Sequence, residues 1–176
     1  MIKELLSQRE KAIVDKWIQS IIVTYPAKTS SFLRLQKDRF RNPLGHIISE
    51  SAKRIFDEII GEFDPERVKL ALTDVIKVRA VQSFSPSQAV GFVFFLKQVI
   101  EAEVAYEIKN EETNEELKII EHRIDRTALT AFDLYMEAKE KVFQLRMNEV
   151  KSRLVYSVNG NGVGIHPLGK SQYKGR

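Results

Sequence analysis

The feature that most constrains this chain is a helical pattern that runs unbroken over residues 114–156. Thr113 followed by Glu116 matches a capping box, which favours a helix start at this point. At about 1.5 Å per residue such a helix is on the order of 60 Å long, far beyond the helices of ordinary globular domains. We therefore expect one compact domain to cover only part of it.

Apolar residues lie on two faces of this predicted helix. One face has small residues at alternating spacings of three and four, a coiled-coil-like period. We expect one of the two faces to pack inside the protomer and the other to contact a partner. A homodimer is the simplest partner, because symmetric association is the commonest kind. The second stripe is Leu129, Phe132, Met136, Phe143 and Met147. The dimer-interface candidates, on the first face, are Ala128, Ala131, Tyr135, Ala138, Val142 and Leu145.

Apolar periodicity and start signals predict four further helices, over residues 2–24, 43–60, 65–83 and 86–110. Asn42-Pro43 and Asp64-Pro65 each place an N-cap residue before Pro in the first turn. Ser85, Pro86 and Gln88 add a capping box. Residues 25–40 are expected to form a loop with a short helical turn.

Composition agrees with an all-α fold. The chain of 176 residues has 8 Gly and 5 Pro, too few for the closely spaced turns of an all-β sandwich. It has no Cys, which excludes disulfides and cysteine-based metal sites. We predict a helical domain over residues 1–156 and a flexible, basic, Gly-rich tail over residues 157–176.

Charge does not indicate a nucleic-acid partner. The last 26 residues carry five basic and no acidic side chains, so the first 150 residues hold 23 basic and 24 acidic ones, a net charge of −1.

The longest apolar run is residues 89–96, whereas a membrane span needs roughly 20 residues. The first residues lack the apolar segment of a signal peptide. We expect a cytoplasmic protein without a membrane span.

The sequence offers little for metal binding or catalysis. His46, His122 and His166 lie far apart, and the residues three before His46 and His122 are Pro43 and Ile119, so the Glu-x-x-His pair of di-iron bundles is missing. No nucleophile, base and acid can be grouped by pattern. We predict no metal site, and we expect that the protein is not an enzyme.

Arg79 stands out because the residues around it on its helix are apolar. A guanidinium buried there needs a partner, for which Asp74, Asp125 and Asp133 are candidates. A structural ion pair is the first interpretation, and an anion-binding or switch role is the second. Polar groups concentrate at this helix junction, so the ligand or switch candidates are Arg79, Gln82, Ser85 and Gln88.

The sequence also resembles the N-terminal domain of the RsbRD family of RsbT co-antagonist proteins, stressosome components of bacterial general-stress signalling. The matching segments are KDRFRNPLGHII (37–48), IKVRAVQSFSPSQAVGFVFFLK (76–97), and RIDRTALTAFDLYM with LRMNEVKSR (within 123–153). The resemblance implies a globin-like, all-α sensory domain without haem, which is dimeric and whose last helix extends toward a C-terminal STAS domain with phosphorylatable residues.

Two departures from the family pattern matter. The chain stops at Arg176, so no STAS domain is expected, and kinase binding and phosphorylation are not carried over. Only Phe84 and Ser85 separate the third and fourth predicted helices, so the ligand His of a haem globin is absent there. This agrees with the expectation of no cofactor.

These observations predict a non-catalytic, dimeric sensory or regulatory module of bacterial stress signalling that contacts an unidentified regulatory protein. The alternative is a binding protein for an apolar small ligand, such as a fatty acid or a porphyrin. Trp17, the Phe-rich fourth helix and Tyr135 would then line a helical cavity. A filled core is the commoner outcome for such residues.

Overall fold

A computed structural model describes residues 2–36, 38–82, 84–108 and 111–160, with side chains described as far as Val155. These ranges are all-α and contain no strand. The helices are α1 (Ile2–Gln8), α2 (Glu10–Val23), α3 (Ala27–Leu35), α4 (Pro43–Ile60), α5 (Pro65–Val81), α6 (Pro86–Val90), α7 (Phe92–Val104) and α8 (Glu111–Gly160). The predicted all-α class and long C-terminal helix are confirmed, while a globin-like arrangement stays a prediction.

The chain divides into two compact units, Met1–Glu140 and Lys141–Arg176. In the first unit, α2 packs against α4 and α7, and α4 packs against α5. Apolar side chains from these helices form one buried core, which includes Trp17, Phe56 and Phe92. The part of α8 in this unit adds Ile120 and Ile124 to the core. In the second unit, almost all described side chains of α8 are exposed.

Local capping explains three helix starts that the sequence predicts. The side chain of Asn42 accepts a hydrogen bond from the Gly45 amide at 2.8 Å, and Asp64 accepts from two amides in the first turn of α5. At α6, Ser85 and Gln88 form the complete capping box. Each cap satisfies amides that have no partner inside their own helix.

Two helices differ from prediction near the start of the chain. The predicted first helix is interrupted at Arg9, which separates α1 from α2. Residues 25–40 are not a loop with one helical turn, since α3 occupies Ala27–Leu35. Leu33 of α3 is buried in the core, and α3 packs against both α2 and α4. Tertiary burial thus stabilises a segment that its polar sequence disfavours as a helix.

Two more boundaries differ around the last two predicted helices. The helix predicted over 86–110 is interrupted at Gly91 and ends at Val104. Near this end, Arg9 donates a hydrogen bond to the carbonyl of Glu103. The last helix begins at Glu111, so Thr113 is a fully buried residue inside α8 and not its cap. At its other end α8 continues to Gly160, past the predicted end, and the predicted tail from residue 161 lies outside the described residues.

We expect Asn42→Ala to lower the free energy of unfolding by about 1–3 kcal/mol. Asn42 is buried, and its Nδ2 donates to the carbonyls of Gln36 at 2.9 Å and Leu33 at 3.3 Å in addition to the cap at Gly45. Asn42→Ser keeps an oxygen that can cap the helix but loses the two hydrogen bonds that Nδ2 donates. Its stability should therefore lie between that of the wild type and that of Asn42→Ala. Urea denaturation followed by far-UV circular dichroism measures all three. Equal midpoints would contradict this role of Asn42.

Candidate functional site

Arg79 is fully buried in the first unit, on the last turn of α5. Its Nη1 donates to the carbonyl oxygen of Gln88 at 3.0 Å, and its Nη2 donates to the hydroxyl of Thr24 at 2.7 Å. The guanidinium therefore joins the end of α2, the end of α5 and the start of α6. Both of its acceptors are neutral oxygens.

The predicted carboxylate partner of Arg79 is not found in the described part of the chain. Asp125 pairs with Lys97 at 3.1 Å instead. Asp74 and Asp133 have exposed side chains and form no ion pair with the buried guanidinium. The prediction of a structural ion pair is wrong because spacing along a helix does not decide which carboxylates reach the interior.

Aromatic rings occupy the place that a carboxylate was expected to fill. The Cζ atom of Arg79 lies 4.6 Å from the ring centre of Phe84, 4.9 Å from that of Phe92 and 5.0 Å from that of Tyr25. The rings of Tyr25 and Phe84 meet edge to face, with centres 5.3 Å apart. The negative faces of aromatic rings attract a cation, but they add no formal charge. Among the described residues, none thus neutralises the positive charge of Arg79.

Burial changes the acidity of two groups at this site. Loss of solvent lowers the pKa of Arg79 from its ordinary value and raises the pKa of the Tyr25 phenol. The positive charge of Arg79 partly opposes the rise at Tyr25. Both shifts have the same origin, because a charged form is disfavoured wherever water is excluded.

Three buried polar atoms at this junction form no well-aligned hydrogen bond among the described residues, although the Tyr25 hydroxyl lies close enough to the Arg79 guanidinium for the two groups to interact. The three atoms are the hydroxyl oxygen of Tyr25, Nε of Arg79 and Oε1 of Gln82. Buried polar atoms are paired in the great majority of cases, so the Gln82 oxygen and the undonated proton of the Tyr25 hydroxyl call for an explanation.

A cavity of about 650 Å³ adjoins this group and opens to solvent. Its described lining residues are Thr24, Tyr25, Pro26, Thr29, Gln82, Phe84 and Gln88. Two of them, Thr24 and Gln88, hydrogen-bond to Arg79, and two others, Tyr25 and Phe84, place their rings against it. One layer of side chains, the cavity wall, therefore separates the cavity from the buried guanidinium of Arg79.

The segment between α5 and α6 is held from two directions. The capping box of Ser85 and Gln88 fixes the first turn of α6, from which the Gln88 carbonyl accepts the hydrogen bond of Arg79. From α8, the hydroxyl of Tyr135 donates to the carbonyl of Phe84 at 2.9 Å. Phe84 thus contacts the cavity and Arg79 through its ring, and α8 through its backbone.

The structure brings together three of the four candidates that the sequence named for this site. Arg79, Gln82 and Gln88 lie at the cavity or directly behind it, while the Ser85 hydroxyl is used in the cap of α6. Sequence reasoning missed Thr24 and Tyr25, which lie more than 50 positions before Arg79. Their only sequence signal is a pair of polar residues at the end of an apolar helix.

The alternative interpretation placed an apolar cavity beside Trp17 and Tyr135, whereas a filled core was the favoured outcome for these residues. Trp17 and Tyr135 are buried in the filled core, and Trp17 Nε1 donates to the carbonyl of Phe92 at 2.7 Å. The cavity near Arg79 is lined by other residues, several of them polar.

The predicted interface residues occupy several environments. Ala128, Ala131 and Tyr135 are buried in the core of the first unit, because this part of α8 closes that core, and a partner cannot reach them. Ala138 packs partly buried against the same core. In the second unit, Val142 is half-buried and Leu145 is exposed.

Neither a metal site nor a membrane-spanning helix is present in the described residues. No group of three His, Asp or Glu side chains there is placed to hold a metal ion. Likewise, no helix in the described ranges combines the length and apolar character required to cross a membrane.

A family model for the RsbT co-antagonist protein rsbRD N-terminal domain matches residues 11–150, which include Arg79 and every described residue of the cavity wall. The chain belongs to this family. An uncharacterized protein of Archaeoglobus fulgidus is similar to it, with 25% identity over 150 residues that cover 82% of this chain and 86% of the relative. No solved structure matches the chain significantly.

We expect Tyr135→Phe to lower the free energy of unfolding by about 1–2 kcal/mol, because the carbonyl of Phe84 loses its donor in a partly buried site. Tyr106→Phe is the matched control, since Tyr106 is 87% exposed. Fluorescence of Trp17, the single Trp of the chain, reports unfolding in urea for both variants. A loss of stability in the control as large as in Tyr135→Phe would contradict the role given to this hydroxyl.

Proposed function

We propose that this chain is a non-catalytic sensory and regulatory module of a stressosome-type signalling system, acting in the cytoplasm as a dimer and through a protein partner. The observation that carries the proposal is the family match over residues 11–150. The site near Arg79 supports it, because a cavity beside buried polar atoms suits ligand binding, and none of the described lining residues is a carboxylate, a histidine or a cysteine.

The contacts of Phe84 support a sensory role for the first unit. A ligand in the cavity would touch Phe84, whose carbonyl is bound by Tyr135 of α8. A shift of Phe84 would therefore change a hydrogen bond that holds α8. Coupling of this kind requires that the ligand favours one arrangement of Phe84 over another.

The second unit supports dimer formation. Its part of α8 exposes Phe143, Met147, Val150 and Leu154, at spacings of four, three and four residues. This is the spacing of a coiled-coil seam, in which identical helices bury such side chains against each other. We name these four residues the α8 seam. It differs from the predicted interface, whose members Val142 and Leu145 lie elsewhere around the helix.

We expect Val150→Lys to convert the dimer into a monomer, because a second copy would bring two ammonium groups together inside an apolar seam. Ser152→Lys is the matched control, since it adds the same charge on the side of the helix away from the α8 seam. Sedimentation velocity across a range of concentrations measures both. A wild-type protein that stays monomeric at high concentration would overturn the dimer, and a monomeric Ser152→Lys would show that charge alone dissociates it.

The regulatory role is tested by comparing partners in the native cell. The wild type, Val150→Lys and Ser152→Lys are each tagged, crosslinked in cells and captured, and the bound proteins are quantified by mass spectrometry. We expect a signalling protein to be enriched with the wild type and Ser152→Lys and to be reduced with Val150→Lys. If no protein distinguishes the two variants, the proposed action through a dimer is wrong.

A further inference from the structure

We infer that the cavity near Arg79 binds a small organic acid with a single negative charge, whose carboxylate lies beside the Tyr25 hydroxyl and in front of the Arg79 guanidinium. The inference rests on the proposed sensory function, for which it names the class of ligand. It is carried by three observations: a buried charge without a carboxylate partner among the described residues, buried polar atoms without well-aligned hydrogen bonds, and the shape of the wall.

The first observation is the charge. Arg79 is fully buried, and no carboxylate pairs with it in the described part of the chain. None of the described lining residues of the cavity is acidic or basic. An anion in the cavity would therefore lie one layer of side chains away from a positive charge, with no carboxylate among the described lining residues to repel it. A single charge favours a carboxylate over a doubly charged phosphate, half of whose charge would stay uncompensated.

The second observation is the set of unpaired atoms. Tyr25 is 5% exposed and lines the cavity, and its hydroxyl, which lies near Arg79, donates no hydrogen bond to a described residue. That hydroxyl can donate to a carboxylate oxygen. The Gln82 amide can donate as well, because a half-turn about its last torsion exchanges its oxygen and nitrogen. Arg79 Nε is the third unpaired group in the same place.

The third observation is the wall itself. Tyr25, Pro26 and Phe84 contribute apolar surface, and Thr24, Thr29 and the two glutamines contribute polar groups. A volume of about 650 Å³ lies in the range typical of sites for small organic molecules. The ligand is thus expected to have an apolar body as well as its carboxylate, which distinguishes it from a simple inorganic anion.

A purely structural role for Arg79 accounts for less of the site. Two hydrogen bonds and three rings explain why the guanidinium is tolerated in the core. They leave the proton of the Tyr25 hydroxyl without an acceptor and the Gln82 amide without a hydrogen bond to its buried oxygen. A carboxylate in the cavity would supply an acceptor for the hydroxyl, and for the Gln82 amide after its half-turn, together with a counter-charge near Arg79.

The test uses hexanoate as the probe and hexanamide, its neutral counterpart of the same shape, as the control. Binding is followed in ¹H–¹⁵N correlation spectra of the full chain, including the Nε–H signal of Arg79. We expect hexanoate to bind in the millimolar range and to move the Arg79 signal, and hexanamide to bind at least about 10-fold more weakly, which corresponds to about 1.4 kcal/mol. Equal binding of both compounds, no shift with hexanoate, or stronger binding of inorganic phosphate than of hexanoate would each overturn the inference.

A variant that should keep the fold separates binding from stability. Tyr25→Phe keeps the ring beside Arg79 and removes a hydroxyl that forms no well-aligned hydrogen bond in the described chain, so its melting temperature should change little. We expect its affinity for hexanoate to fall at least about 10-fold, while Tyr106→Phe binds as the wild type does. Unchanged affinity in Tyr25→Phe would overturn the assignment of the carboxylate position.

Failure of this inference and failure of the proposed function give different results. If hexanoate does not bind but Val150→Lys still abolishes partner capture, only the ligand class is wrong. If hexanoate binds at Arg79 but no variant changes the oligomeric state or the partner, the chain is a binding protein and the proposed regulatory action is wrong.

Discussion

The buried guanidinium of Arg79 is the constraint on which the arrangement of the first unit depends. An arginine inside a protein retains its charge, and removing that charge from water is costly unless other groups replace the lost solvation. Here the replacement comes from Thr24, Gln88 and three aromatic rings. These groups belong to the end of α2, the segment before α6, the start of α6 and the start of α7. Arg79 can be satisfied only when all of these segments are in place.

Helix α8 has a different role in each unit. In the first unit, it adds apolar residues to the core, and Arg123 Nη1 donates to the carbonyls of Ile59 and Gly61 at 2.8 and 2.7 Å, which satisfies acceptors at the end of α4. In the second unit, its large apolar side chains are exposed. A helix with both properties is suited to carry information from a folded sensor to an interaction surface, which is the role that we propose.

The proposed ligand and the proposed output meet at Phe84. Its ring forms part of the cavity wall and contacts Arg79, while its carbonyl is bound by Tyr135. A carboxylate that draws the guanidinium or the Tyr25 ring toward itself would change the packing around Phe84. Close-packed interiors pass such displacements on, because few voids are available to absorb them.

Sequence reasoning was most successful where the deciding interactions are local. The starts of α4, α5 and α6 depend on side chains that bind amides two or three positions away, so Asn42, Asp64 and Ser85 could be recognised from their neighbours alone. The helical character of the chain and the distinctive position of Arg79 followed from composition and pattern in the same way. The boundaries of α3 and α7 could not be predicted, because they depend on burial and on contacts such as that of Arg9 with Glu103.

By itself, the sequence determined that the chain is helical, where three of its helices begin, and that a cation would be placed among apolar residues. Only the tertiary structure decided that aromatic rings and neutral oxygens surround Arg79 instead of a carboxylate, and that Ala128, Ala131 and Tyr135 face the core of their own unit. The physical reason is how far apart in the sequence the interacting residues lie. A cap is completed within one turn of chain, whereas the solvation of a buried charge and the burial of a helix face depend on residues brought together from distant parts of the sequence.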